Sequence, residues 1–190
     1  MQNRKQPPAR IHIGTSGWHY PHWKSRFYPE EMPPENYLSY SMERFNSLEI
    51  NNSFYQLPDE ETLIKWRNQA PAGFLFALKA SRYITHMKKL KETEEAVAAL
   101  LKAADRLADT LGPILFQLPP RWHFNGKRLG DFLRMLPEGY QYAFEFRDPS
   151  WHNPEAYRLL KKYQAAFCIY HLNGFLSSKT ITADFIYIRL

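Results

Sequence analysis

The chain has 190 residues and a formal net charge of +6, from 25 basic and 19 acidic side chains. That length fits about one domain, large enough to bury a core without disulfide staples. Its 44% hydrophobic and 23% charged residues exclude a disordered chain. No apolar stretch approaches the roughly 20 residues of a membrane helix, so no membrane partner is expected. A single cysteine, Cys168, excludes an internal disulfide and a multi-cysteine metal site.

Residues 1–10 read as a loose arm, without the apolar core of a secretory signal. A cytoplasmic setting is the expectation. From residue 11 onward short apolar runs alternate with segments of helical period, in one domain over 11–190. The runs lie at 11–15, 47–51, 74–79, 114–117, 142–146, 166–170 and 185–189, and each predicts a strand. Helices are predicted over 34–45, 59–69, 92–111, 126–136 and 154–163. Pro33-Pro34 starts the first, and Pro71 stops the second. Gly112-Pro113 is expected to end the third. Asn125 and Asn153 are the expected caps of the last two.

Strands alternating with helices build parallel sheets, because a parallel connection needs a crossover. A closed (β/α) barrel and an open doubly wound sheet both satisfy that rule. The chain has no Gly-x-Gly-x-x-Gly turn and no phosphate-cradling lysine loop, which removes support from the nucleotide-binding open sheets.

Side chains alternate faces along a strand. One face of each run is bulky and apolar; the other turns polar toward its C-terminal end. Glu49 and Asn51, Lys79, Gln117, Glu145 with Arg147, and Tyr187 with Arg189 fall on the polar faces. In a barrel enzyme the reactive end is the C-terminal end of the strands. Buried charges there must pair with one another, meet a ligand, or both.

Each type of side chain suggests its own chemistry. Glu49 and Glu145 form a candidate carboxylate pair for acid–base work. Lys79, if desolvated, is a candidate imine-forming nucleophile. Arg147 and Arg189 suit clamping of an anion, and Gln117 suits orienting a polar group. Six of seven histidines follow strands, and His86, after the lysine strand, is the first candidate for proton transfer. Four of five tryptophans also follow strands. Trp18, Tyr20, Tyr55 and Trp151 are therefore candidates to line a cavity for a cyclic ligand. Glu49, Glu145 and His171 have no metal-ligand spacing, and no metal is assigned. The sequence names no cofactor.

Several segments together resemble the YecE-like family, also called domain of unknown function 72. They are Gly14-Thr15-Ser16-Gly17-Trp18 with Tyr20 and Trp23, Phe27-Tyr28-Pro29, and Glu49-Ile50-Asn51 leading into Phe54-Tyr55 and Pro58. They continue with Lys79-Ala80, Thr85-His86, Leu111-Gly112-Pro113 running to Phe116-Gln117-Leu118-Pro119-Pro120, and Glu145-Phe146-Arg147 with Ser150-Trp151. The last is Thr182-Ala183-Asp184-Phe185-Ile186-Tyr187-Ile188-Arg189-Leu190.

The resemblance covers residues 11–190 and implies a TIM-type (β/α) barrel without naming a reaction. Tyr170-His171 departs from the acidic residue expected near the end of strand six. The resemblance also implies a continuation past Leu190, so the expectation is a barrel truncated after strand seven. A gap should then lie beside strand one, with self-association through the open seventh strand. The expected function is a hydrolase or lyase acting on a small polar or anionic cyclic compound at the barrel mouth. A nucleic-acid-binding protein and a non-catalytic ligand-binding barrel are the alternatives.

Overall fold

A computed structural model describes residues 10–190. Residues 1–9 of the expected arm lie outside the described residues. Eight strands are described: β1 (Gly14–Ser16), β2 (Ser47–Ile50), β3 (Leu75–Lys79), β4 (Leu111–Leu118), β5 (Tyr142–Phe146), β6 (Ala166–Leu172), β7 (Phe175–Leu176) and β8 (Tyr187–Arg189). Five α-helices lie between them: α1 (Tyr37–Met42), α2 (Glu60–Gln69), α3 (Glu94–Ala104), α4 (Gly126–Met135) and α5 (Pro154–Lys162).

Strands β1 to β6 pair in sequence order, each parallel to the next. β8 adds to β6 in parallel, and β7 folds back antiparallel on the end of β6. The sheet is α/β, mostly parallel and curled. Among the described residues no backbone ladder joins β1 to β8. Ile186 and Ile188, on the outward face of the last strand region, are exposed.

The main core lies between the convex face of the sheet and the helices. Leu48, Ile50, Phe76, Leu78, Ile114, Phe116, Phe144, Phe146 and Phe167 point into it from alternate strand positions. A second, smaller cluster fills the concave face: Leu115, Ala143, Ala166, Cys168 and Tyr170, with Phe185 and Tyr187 against it. Small residues on that face let the sheet curl tightly. Gly14 marks the tightest point, since a Cβ there would stand 1.8 Å from the Ser47 carbonyl oxygen.

Local signals account for most boundaries. Asn125 Oδ1 accepts from Arg128 N at 2.9 Å, and Asn153 Oδ1 from Glu155 N and Ala156 N, each at 3.0 Å. The expected helix over 92–111 is a correction. α3 stops at Ala104, a 3-10 turn covers Asp105–Thr110, and Ala108 takes a positive φ of 45°. Gly112-Pro113 then lies inside β4 rather than ending a helix. Pro113 has no N–H for a ladder, and the β3–β4 register shifts beside it, between Phe76 and Leu78. The first strand is also shorter than expected, because Ile11, His12 and Ile13 pair with no neighbouring strand. A π-helical turn, Tyr83–Met87, and the β6–β7 hairpin carry no periodic signal and were not expected.

Candidate functional site

At the C-terminal ends of the strands the polar positions converge on the concave face. The register sets this directly: Ser16 stands beside Glu49, Gln117 beside Glu145, and Tyr170 beside Arg189. Arg189 is the hub. Its Nη2 donates to Glu49 Oε1 at 2.9 Å and to Ser16 Oγ at 2.8 Å. Its Nη1 donates to Glu145 Oε2 at 2.7 Å and reaches Gln117 Oε1 at 3.5 Å. Tyr187 donates its hydroxyl to Glu49 Oε2 at 2.7 Å. Burial pushes the Tyr187 hydroxyl well up, and the Glu49 charge adds to it, so Tyr187 stays a donor. Burial alone would lower the guanidinium of Arg189; Glu49 and Glu145 more than reverse that and raise it.

This arrangement corrects two expectations. Both η nitrogens of Arg189 are committed within the fold, so it does not serve as an open clamp for an anion. Glu49 and Glu145 do not face each other as free acid and base, because one guanidinium holds both. Arg147 is different. Its Nε contacts Glu145 Oε1, and its guanidinium lies 5.0 Å from the Tyr170 ring centroid. Among the described residues its η nitrogens have no hydrogen-bond partner, and its side chain keeps 17% exposure.

Lys79 has no ion-pair partner among the described residues, although Glu49, Glu145, Arg147 and Arg189 all act on its charge. Its Nζ sits 4.5 Å from the Phe54 ring centroid. Burial lowers the lysine's pKa, and the Arg189 charge adds to this against the two carboxylates. His86 packs edge-on against the same ring, centroids 5.0 Å apart. Its Nδ1 is 2.8 Å from Thr85 Oγ1, which donates its own hydrogen to the Ser81 carbonyl at 3.2 Å. Thr85 therefore accepts from Nδ1–H, and Nε2 is left as the basic nitrogen. Burial, then the charges of Lys79 and Arg82, hold His86 below the ordinary histidine value.

Asn51 Nδ2 donates to Ser16 Oγ at 2.6 Å, and Ser16 donates to Glu49 Oε1 at 2.8 Å. The opposite end of the amide, Asn51 Oδ1, is buried with no partner among the described residues. Ser16 and Tyr187 are central to the network, yet the sequence did not single them out as site residues. For Tyr187 the signal was available, since it shares a strand face with Arg189; Ser16 shares its face with Gly14, and only the register sets it beside Glu49.

The aromatic loops divide. Tyr20 donates to the Ser16 carbonyl oxygen and stays beside the network. Tyr55 is 74% exposed and meets Phe54 edge-on, turned toward solvent. Trp18 and Trp151 are corrections, since both are buried in the helix-side core rather than lining a cavity. Trp18 packs on Trp66 at 5.0 Å, and Trp151 packs on Trp122 and Phe146, each at 4.9 Å. Trp151 Nε1–H goes to the Trp122 carbonyl, so its one polar atom is also satisfied inside. His171 is exposed, away from the carboxylates. Among the described residues no group of three or more His, Cys, Asp or Glu could hold a metal ion, and no helix is long and apolar enough to cross a membrane.

Comparison with known proteins gives a consistent picture. The profile of the family described as "Protein of unknown function DUF72" matches residues 12–190. The chain is 29% identical over 150 residues to "UPF0759 protein YecE" of Escherichia coli (strain K12), covering 74% of this chain and 50% of that protein. It is 27% identical over 156 residues to "UPF0759 protein YunF" of Bacillus subtilis (strain 168), covering 77% of this chain and 54% of that one. The chain thus spans about half the length of the curated relatives it matches. A solved DUF72 family protein from Thermotoga maritima MSB8 superposes with a TM-score of 0.81 at 28% identity, over 94% of this chain and 73% of that chain. A second, from Enterococcus faecalis V583, superposes with a TM-score of 0.73 at 16% identity, over 93% and 68%, and supports the fold alone.

Proposed function

We propose, from the premise that this chain belongs to the DUF72 protein family, that the concave face binds a small anionic compound and carries out proton-transfer chemistry on it. The architecture in this reading is a TIM-type (β/α) barrel, whose reactive end is the C-terminal end of its strands. The observation that carries the reading is an imbalance of charge. Glu49 and Glu145 are neutralised within the network, while Lys79 remains without a carboxylate partner and Arg147 keeps free η nitrogens. A half-buried surplus cation favours an anion in its place. Lys79, Arg147, Gln117 and Asn51 are the proposed ligand-binding groups, with Lys79 and His86 moving protons.

A lyase-type step fits better than two-carboxylate hydrolysis, because both carboxylates are tied to Arg189. The nucleic-acid alternative loses its aromatic platforms with the burial of Trp18 and Trp151. A cytoplasmic setting agrees with a lone, buried Cys168.

Thermal melting with millimolar phosphate, oxalate and three-carbon phosphate esters tests the reading. At least one anion should stabilise the protein by several degrees, since ligand at 100 times its Kd adds about 2.7 kcal/mol. Lys79→Met and Arg147→Met should each abolish that shift while keeping the fold. Shifts from no anion, or shifts that both variants retain, overturn it.

A further inference from the structure

We infer that Lys79 is a covalent catalyst that forms an imine with a short, hydroxylated, anionic aldehyde or ketone. The inference rests on the anion site proposed above and adds its substrate class and chemistry. Four observations point to it. Lys79 Nζ is half-buried against the Phe54 ring and makes no ion pair among the described residues. His86 flanks the same ring with its Nε2 left basic. Arg147 has free η nitrogens at the same mouth, suited to a carboxylate or phosphate. Asn51 Oδ1 is a buried acceptor without a partner among the described residues, and the other end of the amide donates to Ser16 Oγ, whose own hydrogen goes to Glu49. A ligand hydroxyl supplies the missing hydrogen.

The step balances without any added reagent. The neutral amine of Lys79 attacks the carbonyl carbon, and the C=O electron pair moves to oxygen, which takes up a proton from solvent. The nitrogen of this carbinolamine gives one proton to His86 Nε2. His86 returns it to the hydroxyl, which leaves as water while the C=N bond forms. Ketone, amine and one solvent proton thus become a protonated imine plus water. The protonated imine then draws electrons from the neighbouring carbon, which is what a lyase requires. Desolvation lowers the lysine's pKa and so favours its neutral amine, and its positive neighbours work in the same direction.

The test uses the full chain with dihydroxyacetone phosphate as probe and sodium cyanoborohydride as trap, read by intact mass and peptide mapping. The expected result is one reduced adduct on the peptide containing Lys79, formed at least tenfold faster than on any other lysine. Dihydroxyacetone without its phosphate should react at least tenfold more slowly. His86→Asn should slow trapping about tenfold, while Lys79→Arg should give no adduct. Adducts spread over surface lysines, or none at all in a wild-type protein that phosphate stabilises, overturn the imine and leave the anion site standing. Absence of both the adduct and the phosphate shift overturns both. Circular dichroism and melting confirm that each variant is folded.

Discussion

Asp148 carries out a task that no backbone group can. Its carboxylate accepts from Ser150 N at 3.1 Å and Ser150 Oγ at 2.7 Å, and Ser150 Oγ in turn accepts from Phe124 N at 2.8 Å. One buried side chain thereby ties the loop after β5 to the loop after β4. The hydrogen bonds from Ser150 hold its carboxyl below the ordinary carboxylate value of about 3.9. A depressed carboxyl adds stability above the unfolded value and loses it as the pH falls through the folded one. Melting temperature should therefore fall below about pH 4 in the wild type, with Asp148 contributing to the slope. Asp148→Asn should melt lower at pH 7, by about 1 kcal/mol as for a lost cap, and show a shallower acid slope. An unchanged slope would remove Asp148 from the acid response. The same loops show what a sequence conceals at this scale. Trp151 follows a strand, as a mouth-lining residue would, but a loop has no period to say which way its ring turns. Hydrogen bonding of its Nε1 to Trp122 and packing on Phe146 decide for the core, and neither could be read from spacing.

Period carried the strands because each one has two faces of different chemistry. β5, Tyr-Ala-Phe-Glu-Phe, sends Tyr142, Phe144 and Phe146 to the helices and Ala143 and Glu145 to the concave face. Alternation alone is enough for that reading, so the convergence of Glu145, Gln117 and Lys79 was legible. The end of α3 was not. Leu107 and Leu111 continue the helical spacing, and only the positive φ at Ala108 breaks it. β1 is exposed to a single change, because it has three residues and one neighbour. Gly14→Ala would set its Cβ 1.8 Å from the Ser47 oxygen, a backbone atom that cannot move aside cheaply. The strand should shift off β2 and pull Ser16 from Glu49, at a cost of about 1–3 kcal/mol. Faster amide exchange over residues 14–16 and 47–50 would report it. A variant that exchanges and melts like the wild type would mean that β1 tolerates displacement.

At the scale of the molecule, backbone pairing leaves β1 and β8 unjoined among the described residues, and side chains close the distance instead. Arg189 reaches from β8 to Ser16 on β1, Glu49 on β2, Gln117 on β4 and Glu145 on β5, so one residue couples five strands. Sequence placed both glutamates and this arginine on polar faces, but not the order of their pairing. That order depends on the curl of the sheet, which alternation does not encode. Both carboxylates are buried, and removing the arginine strips Glu49 of its ion pair while Glu145 keeps Arg147. Arg189→Met should therefore destabilise by about 3–5 kcal/mol, as for breaking a buried ion pair. The loss should hardly depend on salt, because the pair lies out of reach of screening ions. Adding Glu49→Gln to Arg189→Met should recover part of the loss, since the stranded charge is gone. Amide exchange should rise at both ends of the sheet, in β1 and β8, while β4 and α4 stay protected. Denaturant melts of the two variants at low and high salt, with exchange read by mass spectrometry, measure each part. If Arg189→Met melts with the wild type, or if exchange rises only in β8, then the sheet holds its curl through the convex core alone.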